Sequence, residues 1–471
     1  MVTGLSREDR SAPSPLQKIV PIVLLLGSLG TIVSWLTRDA DPWVFLQVGA
    51  AGALFVYFLT FVDIVLGLAI LIGCVGLSPE ISFGGVQNLR LEDFVIPALL
   101  MAWLLRAGHT RAPLAPSGLG GLVLAYVVVL LASTLVGVAA GTTRLGEAVV
   151  LIGKYLEYFT LFVLIVNNVR TEQEFKALAI FSILVAVVSA LLFSGATLMS
   201  PAPASKVAGP LGETANIYGG YLVLNLAIAV GLFLHAATPG QRIAASAAIA
   251  LLGIPLLHTY SRTSSVSLAI GLLAFGLTKE RRILLVLLIL GLLVPLIAPE
   301  SVWSHLMTVT GVVTGSHPPS WDARIMAWEE AVPRVLGSSP ILGFGPGSVR
   351  RGDVDSEYVR ALVDSGFLGL GLFAALLFRI GKIAFLRHDA IRGPGFHKGY
   401  AAGFLIAFLA LLVHAVAATS FTAIRTAEGF MILAGLYFCQ VNRLAEWTAP
   451  PTATAGVPLV LIPPPAADPL R

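Results

Sequence analysis

The run IVPIVLLLGSLGTIVSWL, residues 19–36, decides the fold class of this chain. Its length suits one helical crossing of about 30 Å of hydrocarbon, and its apolar residues are continuous, whereas the strands of a membrane barrel alternate apolar and polar residues. Similar runs recur along a sequence that is 56% hydrophobic and 12% charged, far from the averages of about 45–50% and about 25% in soluble domains. The sequence therefore predicts an all-α, polytopic membrane protein.

Between twelve and fourteen membrane-spanning helices are predicted. The range arises because the runs at 43–61 and 62–78 are scarcely separated and the run at 94–106 is short. The candidate spans are 19–37, 43–61, 62–78, 94–106, 119–139, 148–167, 175–198, 217–237, 243–259, 263–278, 283–298, 358–380, 399–420 and 424–441.

One sizeable polar loop, 299–357, divides the predicted bundle into two parts. A cytoplasmic segment, 1–18, precedes the helices of 19–298, and a second group of helices follows at 358–441. The segment 442–471 is rich in Pro, Ala and Thr towards its end, so we expect a disordered cytoplasmic tail.

The distribution of positive charge predicts the orientation of the bundle. Lys and Arg are more frequent in the segments that face the cytoplasm when the N-terminus is inside, and this assignment puts 299–357 outside. The net charge of +4 is spread over short loops in this way, so we expect no nucleic-acid partner. Arg262 and Arg324 lie on the outer side, against the rule, and need another explanation.

Two polar segments place these arginines beside the membrane. In TYSRTSSVS, 259–267, Arg262 stands at the outer end of a helix, where its side chain could also simply extend to the interface. In SWDARIMAWEE, 320–330, apolar residues at helical spacing predict a short amphipathic helix that carries Arg324. The following GFGPG, 343–347, predicts a tight turn, which could cradle phosphate or serve only as a turn.

Carboxylates gather where the chain re-enters the membrane. Asp353, Asp355 and Glu357 could supply a general base, or could only favour the N-terminus of the next helix. Glu213 and Asn216 precede another outer helix start, where Asn216 could also act as an N-cap.

Several classes of chemistry lack their sequence signatures. There is no Walker A, HExxH or GxSxG motif, so nucleotide hydrolysis, zinc-protease and serine-hydrolase chemistry are not indicated. Metal binding at the adjacent acids Glu92 and Asp93 is a minor alternative, and we expect neither a metal nor a cofactor. Lys154 and Glu157, three residues apart in one span, are expected to pair with each other.

From Leu91 to Phe438 the chain resembles the O-antigen ligase and O-antigen polymerase superfamily. The most specific part of the resemblance is DARIMAWEEAVPRVLGSSPILGFGPG followed by DSEYVRALVDSGFLGLGLF; TYSRTSSVSLAIGLLAFG and GETANIYGGYLVL add to it in order. The resemblance implies a GT-C-like helical glycosyltransferase with an undecaprenyl diphosphate-linked glycan as donor, and transfer without metal or nucleotide. It also implies that Arg262 and Arg324 bind the diphosphate and that Glu213, Asn216 and Tyr358 contact substrate. Two guanidinium groups suit this role because they neutralise the charge that grows on the leaving group.

One position departs from the ligase pattern and shifts the expected activity. Ligases of this family carry a His near the start of the helix after the large loop, where this chain has Asp355. The departure favours a polymerase of O-antigen or exopolysaccharide repeat units, with Asp355 as base and Asp353 or Glu357 as substitutes. The alternatives are a ligase that transfers glycan to lipid A-core and a polysaccharide transporter or flippase. We expect a bacterial inner membrane location, a periplasmic catalytic loop, and assembly proteins such as a flippase and a chain-length regulator as partners.

Overall fold

The computed structural model of the chain describes the helical bundle in several stretches. The described residues are 42–78, 81–83, 86–110, 115, 117–199, 213–285, 287–288, 292, 319–349, 354–391 and 395–448. The predicted span 19–37, most of 283–298 and the first part of the 299–357 loop lie outside them.

The described residues form helices, apart from loops and one short hairpin. The hairpin pairs β1 (Ile81–Phe83) antiparallel with β2 (Val86–Leu89), and it was not predicted from the sequence. The helices are α1 (Pro42–Val62), α2 (Ile64–Leu77), α3 (Glu92–Thr110), α4 (Gly120–Ala139), α5 (Leu145–Asn168), α6 (Glu172–Met199), α7 (Ala215–Leu234), α8 (Pro239–His258), α9 (Arg262–Thr278), α10 (Pro319–Ser338), α11 (Glu357–Ala390), α12 (Phe396–His414) and α13 (Ile424–Thr448).

Seven described helices are long and apolar enough to cross a membrane, and they are α4 to α8, α11 and α12. Stretches of α1, α2 and α9 are apolar but shorter. The prediction of an all-α polytopic membrane protein is therefore confirmed, and α10 supplies the amphipathic helix expected in the outer loop. Several boundaries differ from the prediction. Helix α11 continues to Ala390 rather than 380, α12 ends at His414 rather than 420, and α13 continues to Thr448, so residues 442–448 are helical rather than part of a tail.

Small residues set the contact between α7 and α12 at the centre of the bundle. A Cβ at Gly231 would lie 2.2 Å from the backbone nitrogen of Gly403, and one at Gly403 would lie 2.5 Å from the Cα of Ile228. Helices in lipid associate through this kind of close backbone packing, because lipid offers no hydrophobic driving force between them. The contact fixes α7 and α12, and the N-terminal end of α7 and the C-terminal end of α12 border the site described below.

Helix α11 is broken at Gly366, and the GFGPG turn docks into the break. Gly366 has a φ of 63°, which favours glycine, and the backbone N–H groups of Phe344 and Gly345 donate to the Val363 and Asp364 carbonyls at 2.8 and 3.0 Å. In return Phe367 donates to the Pro340 carbonyl at 2.8 Å. These exchanged hydrogen bonds replace those that the helix loses, and they anchor α10 against the start of α11.

Two buried arginines close the end of α2. Arg90 donates to the carbonyls of Val75 and Ser78, at 3.2 and 3.0 Å, and Arg425 donates to those of Gly76 and Ser78, at 3.0 and 2.9 Å. The last carbonyls of a helix have no partner within it, and guanidinium groups satisfy them while complementing the helix dipole. Arg90 and Arg425 therefore have structural roles.

Candidate active site

Arg262 is held at the first position of α9 by a strained turn. Tyr260, two residues earlier, has a φ of 53°, the one positive value among non-glycine residues in the described ranges. Ser261 then caps α9 by accepting a hydrogen bond from the Ser264 N–H at 3.2 Å. The cap fixes the backbone from which the Arg262 side chain extends.

Arg262 and Arg324 meet at Ser320. Arg262 Nη2 donates to the Ser320 hydroxyl at 2.8 Å, and Arg324 Nη1 donates to the Ser320 carbonyl at 3.2 Å. The two residues come from different helices, α9 and α10, and are separated by 61 positions in the sequence. Two like charges so close together favour an anion between or beside them, because an anion offsets their mutual repulsion.

Asp355 completes this group on the side of α11. Arg324 Nη2 lies 3.2 Å from Asp355 Oδ2, and 38% of the Asp355 side chain is exposed, so water or a ligand can reach the carboxylate. The next residue, Ser356, caps α11 by accepting from the Val359 N–H. The structure thus brings Arg262, Arg324 and Asp355 together, whereas Asp353 lies outside the described residues.

Glu357 and Tyr358 are turned to other partners. The buried Glu357 carboxylate accepts hydrogen bonds from the Phe421 and Thr422 N–H groups at 2.9 and 3.2 Å, and from the Thr422 hydroxyl at 2.6 Å. It holds the loop between α12 and α13, so it is poorly placed to serve as the substitute base expected from the sequence. The Tyr358 hydroxyl donates to the Leu412 carbonyl at 2.8 Å, and its half-buried ring lies between α11 and α12.

Glu213 and Asn216, both predicted to contact substrate, have different surroundings in the structure. Glu213 is buried and forms an ion pair with Arg425 at 2.6 Å, with both side chains fully enclosed. Its carboxylate therefore stabilises the bundle instead of facing a sugar, as the sequence had suggested. Asn216 lies beside the site, where its Oδ1 accepts from the Ser261 hydroxyl at 2.8 Å.

His414, the last residue of α12, was missed by sequence reasoning. Its fully buried ring contacts the Ser264 hydroxyl through Nε2 at 3.0 Å and the Ser420 hydroxyl through Nδ1 at 2.7 Å. An ionisable residue at the end of an apolar span was the available signal, since such residues are costly and are usually turned inward.

Residues 247–374 match the family model for O-antigen ligase. The match relates this segment of the chain to the O-antigen ligase family. The segment contains α9, α10 and the first half of α11, and so it carries Arg262, Arg324 and Asp355 together. No curated protein matches the chain.

Asn216, in α7, precedes the matched segment 247–374 in the sequence, and His414, in α12, follows it. Within the described residues no group of three or more His, Cys, Asp and Glu side chains is suited to hold a metal ion. Glu92 and Asp93 are instead paired, with Arg90 at 2.7 Å and with Lys154 respectively. Lys154 also pairs with Glu157 at 2.8 Å, as predicted. What the group of Arg262, Arg324 and Asp355 offers chemically is two guanidinium groups and one accessible carboxylate.

Proposed function

We propose that this protein is a GT-C-like membrane glycosyltransferase that polymerises undecaprenyl diphosphate-linked repeat units of an O-antigen or exopolysaccharide. The observation that carries the proposal is the convergence of Arg262 and Arg324 on Ser320, with Asp355 against Arg324. The family match supports a membrane glycan ligase or polymerase. The proposed location is the bacterial inner membrane with the site on the periplasmic side, which the positive charge distribution supports.

In the proposed reaction the acceptor hydroxyl oxygen attacks the anomeric carbon of the donor while the bond from that carbon to the diphosphate oxygen breaks. The electron pair of the broken bond leaves with undecaprenyl diphosphate, and the hydroxyl proton passes to the Asp355 carboxylate. One displacement of this kind inverts the anomeric configuration. Arg262 and Arg324 stabilise the charge that develops on the leaving diphosphate.

The two arginines also predict how the transfer activity responds to removal of metal ions. Their guanidinium groups supply two positive charges and up to ten N–H donors in fixed planes, which match phosphate oxygens. We therefore expect the purified protein to keep its transfer activity in excess EDTA. Loss of activity in EDTA, with recovery on adding Mg²⁺, would show that the arginines do not replace a metal.

The decisive experiment measures glycan lengthening by purified protein with an undecaprenyl diphosphate-linked repeat unit. Arg262→Ala and Arg324→Ala should each lower the rate by about 10²–10³-fold, the range for loss of one charge-stabilising donor at a reacting centre. Arg144→Ala is the matched control, because it removes an exposed guanidinium whose ion-pair partner among the described residues is Glu147 at 3.4 Å. Near-normal lengthening by both site variants would exclude the diphosphate role.

Ligation to lipid A-core is the second candidate, favoured by the description of the matched family as O-antigen ligase. A defined core acceptor added to the same reaction separates the two activities. Glycan on the core supports ligation, and longer lipid-linked chains support polymerisation. Transport of the lipid-linked glycan across liposomes without either product would contradict both and support a flippase.

A further inference from the structure

A line of hydrogen-bonded side chains runs from the loop after α12 to the start of α7. It joins Ser420 to His414 at 2.7 Å, His414 to Ser264 at 3.0 Å, Ser264 to Ser261 at 2.7 Å, and Ser261 to Asn216 at 2.8 Å. The first four side chains are buried, and Asn216 is half-buried at the edge of the site. Ser261 immediately precedes Arg262, so the line ends next to the proposed diphosphate site.

The hydrogen bonds of this line run in one direction. The Ser261 hydroxyl uses its single proton to donate to Asn216 Oδ1, so Ser264 must donate to Ser261. The Ser264 proton is then used, so His414 Nε2 must carry a proton and donate to the Ser264 oxygen. His414 Nδ1 therefore has no proton in the neutral ring and accepts from the Ser420 hydroxyl.

Glycines on α7 hold the helices of this line close together. A Cβ at Gly219 would lie 2.3 Å from the Ser264 hydroxyl oxygen, and one at Gly220 would lie 3.1 Å from His414 Cε1. The hydroxyl and imidazole groups thus pack directly against the α7 backbone. The line is a fixed part of the bundle, and its far end at Asn216 is the part that a ligand can reach.

At the end of the line, the contact with Ser261 leaves one polar atom of the Asn216 amide available. Its Oδ1 is occupied by Ser261, while its Nδ2 has no hydrogen-bond partner among the described residues and is not among their buried unpaired atoms. We propose that Asn216 Nδ2 donates a hydrogen bond to an oxygen of the donor sugar next to the diphosphate, and that Ser261, Ser264, His414 and Ser420 are positioning residues that hold this amide. The inference rests on the proposed function. It gives the neutral His414 imidazole a positioning role, and Asp355 remains the proposed base.

The sugar contact is tested by comparing two probes, undecaprenyl diphosphate alone and undecaprenyl diphosphate carrying one N-acetylhexosamine. Asn216→Leu removes both amide polar atoms at similar size and adds no charge. It should weaken binding of the glycosylated lipid about 3- to 10-fold, the worth of one hydrogen bond, and leave the bare lipid unchanged. An equal effect on both probes overturns the inference and leaves the proposed function standing. Wild-type protein that binds neither probe overturns both.

The positioning role is tested with His414 variants, for which both the binding of the two lipid probes and the rate of glycan lengthening are measured. His414→Ala should weaken binding of the glycosylated lipid, and His414→Gln should restore it, because a glutamine amide can donate to Ser264 and accept from Ser420. A structural role alone would lower the unfolding temperature in step with the loss of binding. Ser246→Ala is the control for loss of a hydroxyl, since Ser246 bonds within exposed α8. If His414→Gln binds both probes normally but has no turnover, His414 acts as the base and the inference is wrong.

Discussion

Arg324 Nη2 lies 3.2 Å from Asp355 Oδ2, so the proposed diphosphate-binding group and the proposed base are partners of each other. A carboxylate oxygen that accepts from a guanidinium group is not free to accept a proton from an acceptor hydroxyl. A diphosphate that takes over the Arg324 donors would release the Asp355 carboxylate for that role. We therefore expect the contact to couple donor binding to activation of the acceptor hydroxyl.

The first prediction concerns Asp355→Asn, which keeps the size of the side chain and removes the base. Turnover should fall by about 10²–10⁴-fold, the usual contribution of a general base, while the affinity for undecaprenyl diphosphate is kept or increased because Arg324 loses its anionic competitor. Steady-state rates and lipid binding measured on the same preparation check both parts. Glu329→Gln removes an exposed carboxylate of α10 and is the control. An equal loss of lipid affinity and turnover would refute the coupling.

The second prediction concerns Ser320→Ala, which removes the contact of one arginine and keeps that of the other. The substitution removes the hydroxyl that Arg262 contacts but keeps the backbone carbonyl that Arg324 contacts. We expect a loss of donor affinity of about 3- to 10-fold, since one hydrogen bond is lost and both charges remain. Ser338→Ala, at the other end of α10, should leave affinity unchanged. A loss as large as that of Arg262→Ala would mean that Ser320 itself contacts the substrate.

The spans were predictable because they depend on local sequence, and local features also singled out Arg262, Arg324 and Asp355 as candidate site residues. Lipid requires continuous apolar runs, and these set α4 to α8 to within a few residues. Arg262 and Arg324 stood out because outer arginines oppose the orientation rule. Asp355 followed from its place just before the helix after the outer loop.

The roles of Glu213, Glu357 and His414 depend on contacts between distant parts of the chain. Glu213 meets Arg425, and Glu357 meets the Phe421 and Thr422 backbone more than sixty positions later. The local sequence does not distinguish a carboxylate that faces substrate at a helix start from one that pairs with a buried arginine. Only the packing of α12 and α13 against α7 and α11 distinguishes these cases.

The third prediction concerns the buried pair of Glu213 and Arg425. Arg425→Met leaves the Glu213 charge enclosed and removes donors from the Gly76 and Ser78 carbonyls, so the free energy of unfolding should fall by about 3–5 kcal/mol. Thermal unfolding in detergent measures the effect. Glu147→Gln breaks the exposed pair with Arg144 and should change the unfolding temperature little. Wild-type stability of Arg425→Met would show that the pair does not hold α2 and α13 together.

The fourth prediction uses two glycines of the same helix, Gly366 and Gly371. Gly366→Ala forces a side chain into a φ of 63° and puts its Cβ 2.3 Å from the Ile341 carbonyl, so the docked turn must move and stability should fall by about 2 kcal/mol or more. Because that turn anchors α10, transfer activity should fall with it through displacement of Arg324. Gly371→Ala meets nothing within 4 Å and should leave activity unchanged while stabilising the helix slightly. Thermal unfolding and glycan lengthening measured on both variants decide the point, and equal behaviour of the two would show that the turn does not position α10.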